Sequence, residues 1–266
     1  MAGFPRGSFL ASAALDGKAC IWSLPDACLL HVFSGSIPIL SIAWKDNGED
    51  TIICGLEDGT VVCLTVTQSD LQVFGFWAHS FPVECLRASR GFLASGAHEE
   101  VRIWRETGTV TPASEWAREA QLPAPPKTSY NRLLKVVVTS LHWLPGPKGH
   151  IRLLVTYLNH GVHIFDTRTW EQIGSVPIYG QIADASISQD GHLIAVSNVI
   201  SGFDVYAVDS GAAVCSFGHT VGEFRKVPVL FVHDGLALVG GNMHGDVHLW
   251  DVDSGRKLHS LVHPST

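Results

Sequence analysis

Short runs of alternating apolar and polar residues cover almost the whole chain, and one arrangement of these runs recurs six times. In each copy an apolar run leads through a turn into a second apolar run that ends in a large side chain. Short β-rich runs joined by Asp-Gly or His-Gly turns pair as hairpins, so each copy predicts two antiparallel strands, called b and c. The copies are FLASAALDGKACIW (9–22), IICGLEDGTVVCL (52–64), FLASGAHEEVRIW (92–104), LLVTYLNHGVHIF (153–165), LIAVSNVISGFDVY (193–206) and LALVGGNMHGDVHLW (236–250).

Further alternating runs flank these hairpins. A run before most copies predicts an inner strand a, and a polar turn followed by another run predicts an outer strand d. Four antiparallel strands in roughly forty residues are typical of a propeller blade, and the period of two excludes a helical solenoid. The inner runs are PILSIAW (38–44), PVECLRA (82–88), VVTSLHW (137–143), IADASIS (182–188) and PVLFVHD (228–234), and the outer runs include CLLHVF, WEQIGSV, AAVCSF and RKLHSL.

One step between repeats is longer than the others and contains an insertion at about 111–135. Within it, Pro123, Pro125 and Pro126 favour an extended backbone. Trp116 and Tyr130 place large aromatic side chains where no regular strand is expected, and SEWAREAQL (114–122) favours a helical turn. The insertion is interpreted either as a recognition loop that lies across one face or as an ordinary packed loop.

The repeat resembles the WD-repeat (tryptophan-aspartate) family over nearly the whole chain, most specifically in LASAALDGKACIW of the first copy and GGNMHGDVHLWD of the last. The resemblance implies an all-β fold, a β-propeller of about six four-stranded antiparallel blades in a single domain over 1–266. The expected blades cover roughly 1–35, 36–77, 78–118, 136–177, 178–218 and 226–263.

Members of that family bury a hydrogen-bonded network in each blade, made of a strand-b Ser or Thr, a strand-c Trp, an Asp in the b–c turn and a His before strand a. Such groups are stable inside a protein only when they are paired. Blade 3 supplies His79, Ser95 and Trp104, but HEE stands where Asp-Gly is expected, which predicts an incomplete network. The remaining structural candidates are Ser12, Asp16 and Trp22 in blade 1, and His219 and Trp250 in the last blade, where Gly240 occupies the hydroxyl position.

The two ends of the sequence depart from the blade pattern. FPRGSFLAS resembles the turn that enters strand b, so we expect the first blade to lack its inner strand, and LVHPST follows a strand d with no further blade behind it. These ends predict either a fragment of a seven-bladed propeller or an unusual six-bladed closure. An open propeller also exposes strand edges through which chains associate.

Composition and charge narrow the function classes. The chain is 46% hydrophobic and 16% charged, which predicts a folded protein, and its net charge of -7 without a basic run argues against nucleic acid as a partner. The absence of a signal-like leader or of a long apolar span predicts a cytoplasmic or nuclear protein that is neither secreted nor membrane-bound. Six cysteines without a C-x-x-C pair favour reduced thiols.

Candidate catalytic chemistry is sparse. The sequence contains no G-x-S-x-G elbow, H-E-x-x-H helix or phosphate-binding G-x-x-x-x-G-K-[ST] loop, so we expect no catalytic residues and no cofactor. We also expect no metal site at His160 and His163, because residues three apart on a strand point to opposite faces. The pair His244 and His248 lacks a nearby carboxylate or cysteine set.

These observations favour a non-catalytic scaffold or adaptor that binds a protein or peptide partner on one propeller face. The alternatives are a WD-repeat sensor array of a larger signalling ATPase and a propeller enzyme with its site at the channel mouth. Partner-binding side chains are expected in the d–a and b–c loops and in the insertion, where ordinary loop packing is the competing explanation. The candidates are Phe81, Glu84, Trp116, Tyr130, Tyr179, Gln181, Glu223, Phe224 and Arg225.

Overall fold

The computed structural model describes residues 2–3, 8–46, 50–67, 70–108, 116–178, 180–218, 227–242 and 244–262. In these ranges 24 strands form six antiparallel sheets of four strands each, and no α-helix occurs. No helix in the same ranges is long and apolar enough to cross a membrane. The chain divides into two compact units, Met1–Ala124 and Pro125–Thr266.

The first unit contains blades 1 to 3, and each strand pairs with its neighbour along the chain. Blade 1 is β1 (Ala2–Gly3), β2 (Phe9–Ala13), β3 (Lys18–Ser23) and β4 (Cys28–Ser34). Blade 2 is β5 (Ile39–Trp44), β6 (Thr51–Leu56), β7 (Thr60–Val66) and β8 (Leu71–Trp77). Blade 3 is β9 (Cys85–Ser89), β10 (Phe92–Ala97), β11 (Glu100–Glu106) and β12 (Trp116–Gln121).

The second unit contains blades 4 to 6 with the same topology. Blade 4 is β13 (Val138–Pro145), β14 (Ile151–Tyr157), β15 (Gly161–Asp166) and β16 (Gln172–Val176). Blade 5 is β17 (Ile182–Ile187), β18 (Leu193–Asn198), β19 (Gly202–Ala207) and β20 (Ala213–Gly218). Blade 6 is β21 (Val229–Val232), β22 (Ala237–Gly241), β23 (Asp246–Asp251) and β24 (Lys257–Val262).

The repeat found in the sequence is confirmed blade by blade, since each hairpin copy forms the second and third strands of a sheet. The first blade has three full strands. In its inner position the two-residue β1 pairs with β2 through Ala2 opposite Ala11 and Gly3 opposite Leu10. The expected all-β architecture of six four-stranded blades, with an incomplete first blade, is therefore correct.

Neighbouring sheets bury their faces on one another within each unit. Between blades 1 and 2, Ile21 packs in one cluster with Ile52 and Leu64, and all three are at most 2% exposed. Equivalent clusters fill the space between blades 2 and 3, between blades 4 and 5, and between blades 5 and 6. Because removal of apolar surface from water stabilises the folded state, these clusters hold each sheet against the next.

The helical turn expected over 114–122 is wrong, because Trp116–Gln121 forms the outer strand of blade 3 and pairs with β11. Trp116 is only 8% exposed and packs in the core with Val83 and Leu93. The ammonium group of Lys45 lies 5.8 Å from the centre of its ring. The aromatic residue therefore anchors the end of a blade, and its ring is not presented to a partner.

Candidate functional site

Blade 3 contains the hydrogen-bonded network that the sequence predicted to be incomplete. Nδ1 of His79 lies 2.9 Å from a carboxylate oxygen of Glu100, and its Nε2 lies 2.7 Å from the hydroxyl oxygen of Ser95. Nε1 of Trp104 donates to the same hydroxyl oxygen at 2.9 Å. The prediction of a gap was wrong, because Glu100, the last residue of HEE, supplies the carboxylate expected from aspartate.

The partners fix the roles of these groups. Since a carboxylate only accepts, the neutral ring of His79 donates from Nδ1, so its Nε2 accepts the hydroxyl proton of Ser95. Burial is the main cause that lowers the pKa of His79, which keeps the ring neutral. Arg102 donates to the carboxylate of Glu100 and to the carbonyl of Ala78. His79, Ser95, Trp104 and the carboxylate of Glu100 are all paired within the blade, which is the arrangement of a structural network.

The other structural candidates are placed less uniformly. In blade 1, Nε1 of Trp22 donates to the hydroxyl of Ser12 at 3.4 Å, while Asp16 accepts from the backbone of Lys18 in the turn. In blade 6, Trp250 is 5% exposed and packs edge-on against Phe203. His219 lies outside the described residues.

The partner-binding candidates fall into four groups. Phe81 and Glu84 are exposed in the first unit, where the Phe81 ring stacks on His98 with 5.0 Å between ring centres. In the second unit Tyr130 is 66% exposed, and Gln181 donates to the side chain of Asn159 at 3.1 Å. Trp116 is buried, as described above. Four candidates lie outside the described residues: Tyr179, Glu223, Phe224 and Arg225.

A pocket of about 380 Å³ lies in the second unit beside blade 4. Three segments build its wall: 126 and 128–131 from the insertion, 159–163 from the turn and start of β15, and 175–178 from the end of β16 and the residues after it. Tyr130 lines the pocket, and Gln181 binds Asn159, which also lines it. One residue that the sequence singled out for partner binding therefore lines this pocket, and a second is bonded to a side chain of its wall.

The antiparallel order of blade 4 explains why these segments meet. The chain enters β13, leaves β14, enters β15 and leaves β16 at the same end of the sheet, because neighbouring strands run in opposite directions. Loops at this end stand on paired strands, and such a scaffold holds binding groups in place.

Two histidines line the pocket, and both have buried ring nitrogens without a hydrogen-bond partner in the described part of the chain. His160 is 7% exposed, and neither of its ring nitrogens has a hydrogen-bond partner in the described part of the chain. Nε2 of His163 donates to the backbone carbonyl of His160 at 2.9 Å. The expectation that the two rings lie on opposite sides was wrong, because His160 belongs to the turn before β15 and both residues line the same pocket.

The electrostatics of the pocket keep both rings neutral at pH 7. Burial is the first cause that lowers the pKa of His160, and the neighbouring His163 and the ammonium group of Lys127 lower it further. Burial likewise lowers the pKa of His163. A buried donor or acceptor without a partner costs about 1–3 kcal/mol, so the unpaired ring of His160 is a site at which a ligand would restore lost hydrogen bonds.

The described part of the chain contains no group of three or more His, Cys, Asp or Glu side chains that would hold a metal ion. The sequence missed the pocket because its outer wall comes from the insertion, whose path no strand pattern predicts. The available signal was the turn LNHG, where histidine stands in place of the usual aspartate.

Comparison with a solved structure supports the propeller fold. No protein-family model matches the chain. Protein MAK11 of Saccharomyces cerevisiae is 24% identical over 149 residues, which cover 49% of this chain and about a third (34%) of the length of MAK11. The crystal structure of the Cps50 (Swd1) β-propeller domain of Myceliophteria thermophila matches with a TM-score of 0.78 and 20% identity, over 99% of this chain and 86% of that one. The chain has a WD-repeat β-propeller fold.

Within this WD-repeat propeller, the pocket occupies the end of blade 4 where the turn between the second and third strands meets the loops that flank the sheet. In blade 3 the same end carries the paired network of His79 and Glu100. The two blades thus use histidine differently: one ring is fully bonded inside the protein, whereas the ring of His160 faces a pocket without a bonding partner.

Proposed function

We propose that this WD-repeat propeller is a non-catalytic scaffold or adaptor that binds a protein or peptide segment at the end of blade 4. The observation that carries the proposal is the unpaired, buried ring of His160 in a pocket flanked by the exposed ring of Tyr130. Aromatic side chains beside a pocket often contribute much of the binding energy at protein interfaces. The strands behind the pocket supply the rigidity that such a contact requires.

The chemistry of the pocket supports binding over catalysis. Its described lining residues supply imidazole, amide, hydroxyl and apolar groups but no carboxylate or thiol. Nucleophilic catalysis requires a proton acceptor held against the nucleophile, whereas the ring of His160 has no hydrogen-bond partner in the described residues and His163 bonds through Nε2 to the backbone carbonyl of His160. The chemistry that these side chains offer is hydrogen bonding to a ligand.

We further propose that the protein works in the cytoplasm or nucleus. The six cysteines are free, and three of them are buried, namely Cys54, Cys63 and Cys85. Burial raises the pKa of Cys54 to about 12, so its thiol stays protonated and behaves as a small apolar group. Free thiols are typical of proteins kept in a reducing compartment.

Site-specific photo-crosslinking tests the proposed binding face. The full chain would carry p-benzoylphenylalanine in place of Tyr130 in its own cells, with the same probe in place of Val73, an exposed residue of blade 2, as the matched control. We expect defined adducts from position 130 that are absent from position 73. Identical adducts at both positions, or none at position 130, would contradict binding at the end of blade 4.

A further inference from the structure

Among the described residues, the ring of His160 in the pocket wall has no hydrogen bond at either nitrogen, whereas His163 lacks a partner at Nδ1 alone. Asn159 donates to the carbonyl of Lys135 at 3.2 Å and accepts from Gln181. Asn131 accepts from the backbone of Thr128 at 2.7 Å. Both amides have hydrogen-bond partners inside the protein, whereas the buried ring of His160 has none in the described part of the chain.

The charge around this ring is positive. Loop 125–137, which contains the first wall segment, carries Lys127, Arg132 and Lys135 and no acidic residue. The other two wall segments, 159–163 and 175–178, also contain no aspartate or glutamate. Lys127 lies between the wall residues Pro126 and Thr128, and its positive charge acts on the ring of His160, so a pocket without acidic lining residues is complementary to an anion here.

We infer that the pocket binds the carboxylate of an aspartate or glutamate side chain from a partner peptide, with the ring of His160 donating to that carboxylate and Lys127 close by. The inference rests on the proposed function and specifies the ligand chemistry of the same pocket. A carboxylate accepts hydrogen bonds and carries the charge that opposes the lysine, and charge-assisted bonds are roughly twice as strong as neutral ones.

Other occupants fit the pocket less well. A neutral amide would bond to His160 but would leave the positive charge of Lys127 without compensation. A divalent cation would be repelled by the same lysine, and the described residues offer no third metal ligand. A volume of about 380 Å³ holds one side chain and its backbone, which suits a peptide contact.

A positional peptide library tests the inference on the full chain. Fluorescein-labelled decapeptide pools, randomised except for one fixed residue, would carry Glu, Asp, Gln, Asn or phosphoserine at that position, and binding would be followed by fluorescence polarisation. We expect the Glu or Asp pool to bind at least fivefold more tightly than the matched Gln or Asn pool. Rising salt should reduce this preference, because the contact is between charges.

Two variants and a control show which residues cause the preference for acidic peptides. His160→Phe keeps a ring of similar shape but has no donor, and it should abolish the preference, while Lys127→Gln on the exposed loop should reduce it about threefold. His192→Gln alters an exposed histidine of the same unit and should leave it unchanged. Because Lys127 is exposed, its replacement reports on the site even if His160→Phe perturbs the turn.

The outcomes separate this inference from the proposed function. Peptide binding without an acidic preference, or a preference for phosphoserine alone, overturns the carboxylate assignment but leaves the scaffold function standing. An acidic preference that survives both His160→Phe and Lys127→Gln places the anion site elsewhere and also overturns the inference. Absence of binding by every pool, together with absence of crosslinks at position 130, rejects the proposed function itself.

Discussion

Glu100 lies 2.9 Å from the ring of His79, and this contact closes the buried network of blade 3. The glutamate is the first residue of β11, whereas the family pattern places an aspartate in the preceding turn. Its longer side chain still reaches the histidine and also receives a hydrogen bond from Arg102. A WD-repeat blade can therefore retain its network although the Asp-Gly turn is missing.

Removal of this carboxylate should destabilise the protein. Glu100→Ala leaves the buried Nδ1 of His79 without an acceptor, which should cost about 1–3 kcal/mol of the free energy of unfolding. Glu100→Gln keeps an acceptor oxygen and should lose less. Urea unfolding followed by tryptophan fluorescence would measure both variants against Glu99→Ala, an exposed neighbour whose loss should be near neutral. Equal stabilities for Glu100→Ala and Glu99→Ala would show that the contact contributes nothing.

Trp104 should be a major contributor to the stability of blade 3. Its ring is 6% exposed, packs edge-on against Phe76 at 4.8 Å between centres, and bonds to Ser95. Trp104→Ala should therefore cost about 3–5 kcal/mol, as expected for deletion of a large buried side chain. Trp77→Ala is the matched control, because that ring is 61% exposed and should cost less than about 1 kcal/mol. A similar loss for both would contradict the assigned packing.

The sequence predicted the inner, second and third strands well because these strands bury apolar side chains against neighbouring blades. That burial leaves a recognisable apolar pattern along the chain. The outer strand β12 was missed because its middle residues are mostly exposed, so charged side chains are tolerated and no alternation marks it. The same segment, AREA (117–120), satisfies the pattern of a helix as easily as that of an edge strand. Only pairing with β11, which is a tertiary contact, decides between them.

The candidate site was only partly predictable for a similar reason. Tyr130 and Gln181 were singled out as loop residues; Tyr130 lines the pocket and Gln181 is bonded to its wall residue Asn159. His160 was dismissed by an argument that holds only on a strand. Its position in a turn lets it share a cavity with His163. The pocket depends on where the insertion folds back, which local sequence patterns do not specify.

Stability should fall as the solution is acidified below about pH 6.5. Burial lowers the pKa of His79, His160 and His163 in the folded chain, and the nearby charges of Arg102 and Arg118 lower that of His79 further, although Glu100 opposes them. The unfolded chain, with histidine at its ordinary value of 6.5, takes up protons before the folded chain does. The free energy of unfolding is thus fully present above that pH and decreases below it.

Urea midpoints at pH 7.5 and pH 5.5 would measure this dependence. His160→Phe removes one of the three groups and should show a smaller loss between the two values. His192→Gln, at an exposed position, should keep the full loss. A protein that becomes more stable on acidification would contradict the direction of the three shifts.

Gly240 should be intolerant of a side chain because Phe203 of the neighbouring blade occupies the space above it. A Cβ atom at this glycine would lie 2.2 Å from the Phe203 ring, so the ring would have to move. Gly240→Ala should therefore destabilise the protein by about 1–3 kcal/mol, the usual cost of overpacking a core. This contact also explains why blade 6 lacks the hydroxyl that the family pattern places at this position.

A double-mutant cycle would separate the clash from other effects of the substitution. The smaller side chain in Phe203→Leu should recover part of the loss caused by Gly240→Ala, giving a coupling energy of about 0.5–3 kcal/mol. Gly218→Ala is the matched control, since no atom lies within 4 Å of its added Cβ, and its stability should change little. Additive effects of Gly240→Ala and Phe203→Leu would show that the ring and the glycine do not share the space between blades 5 and 6.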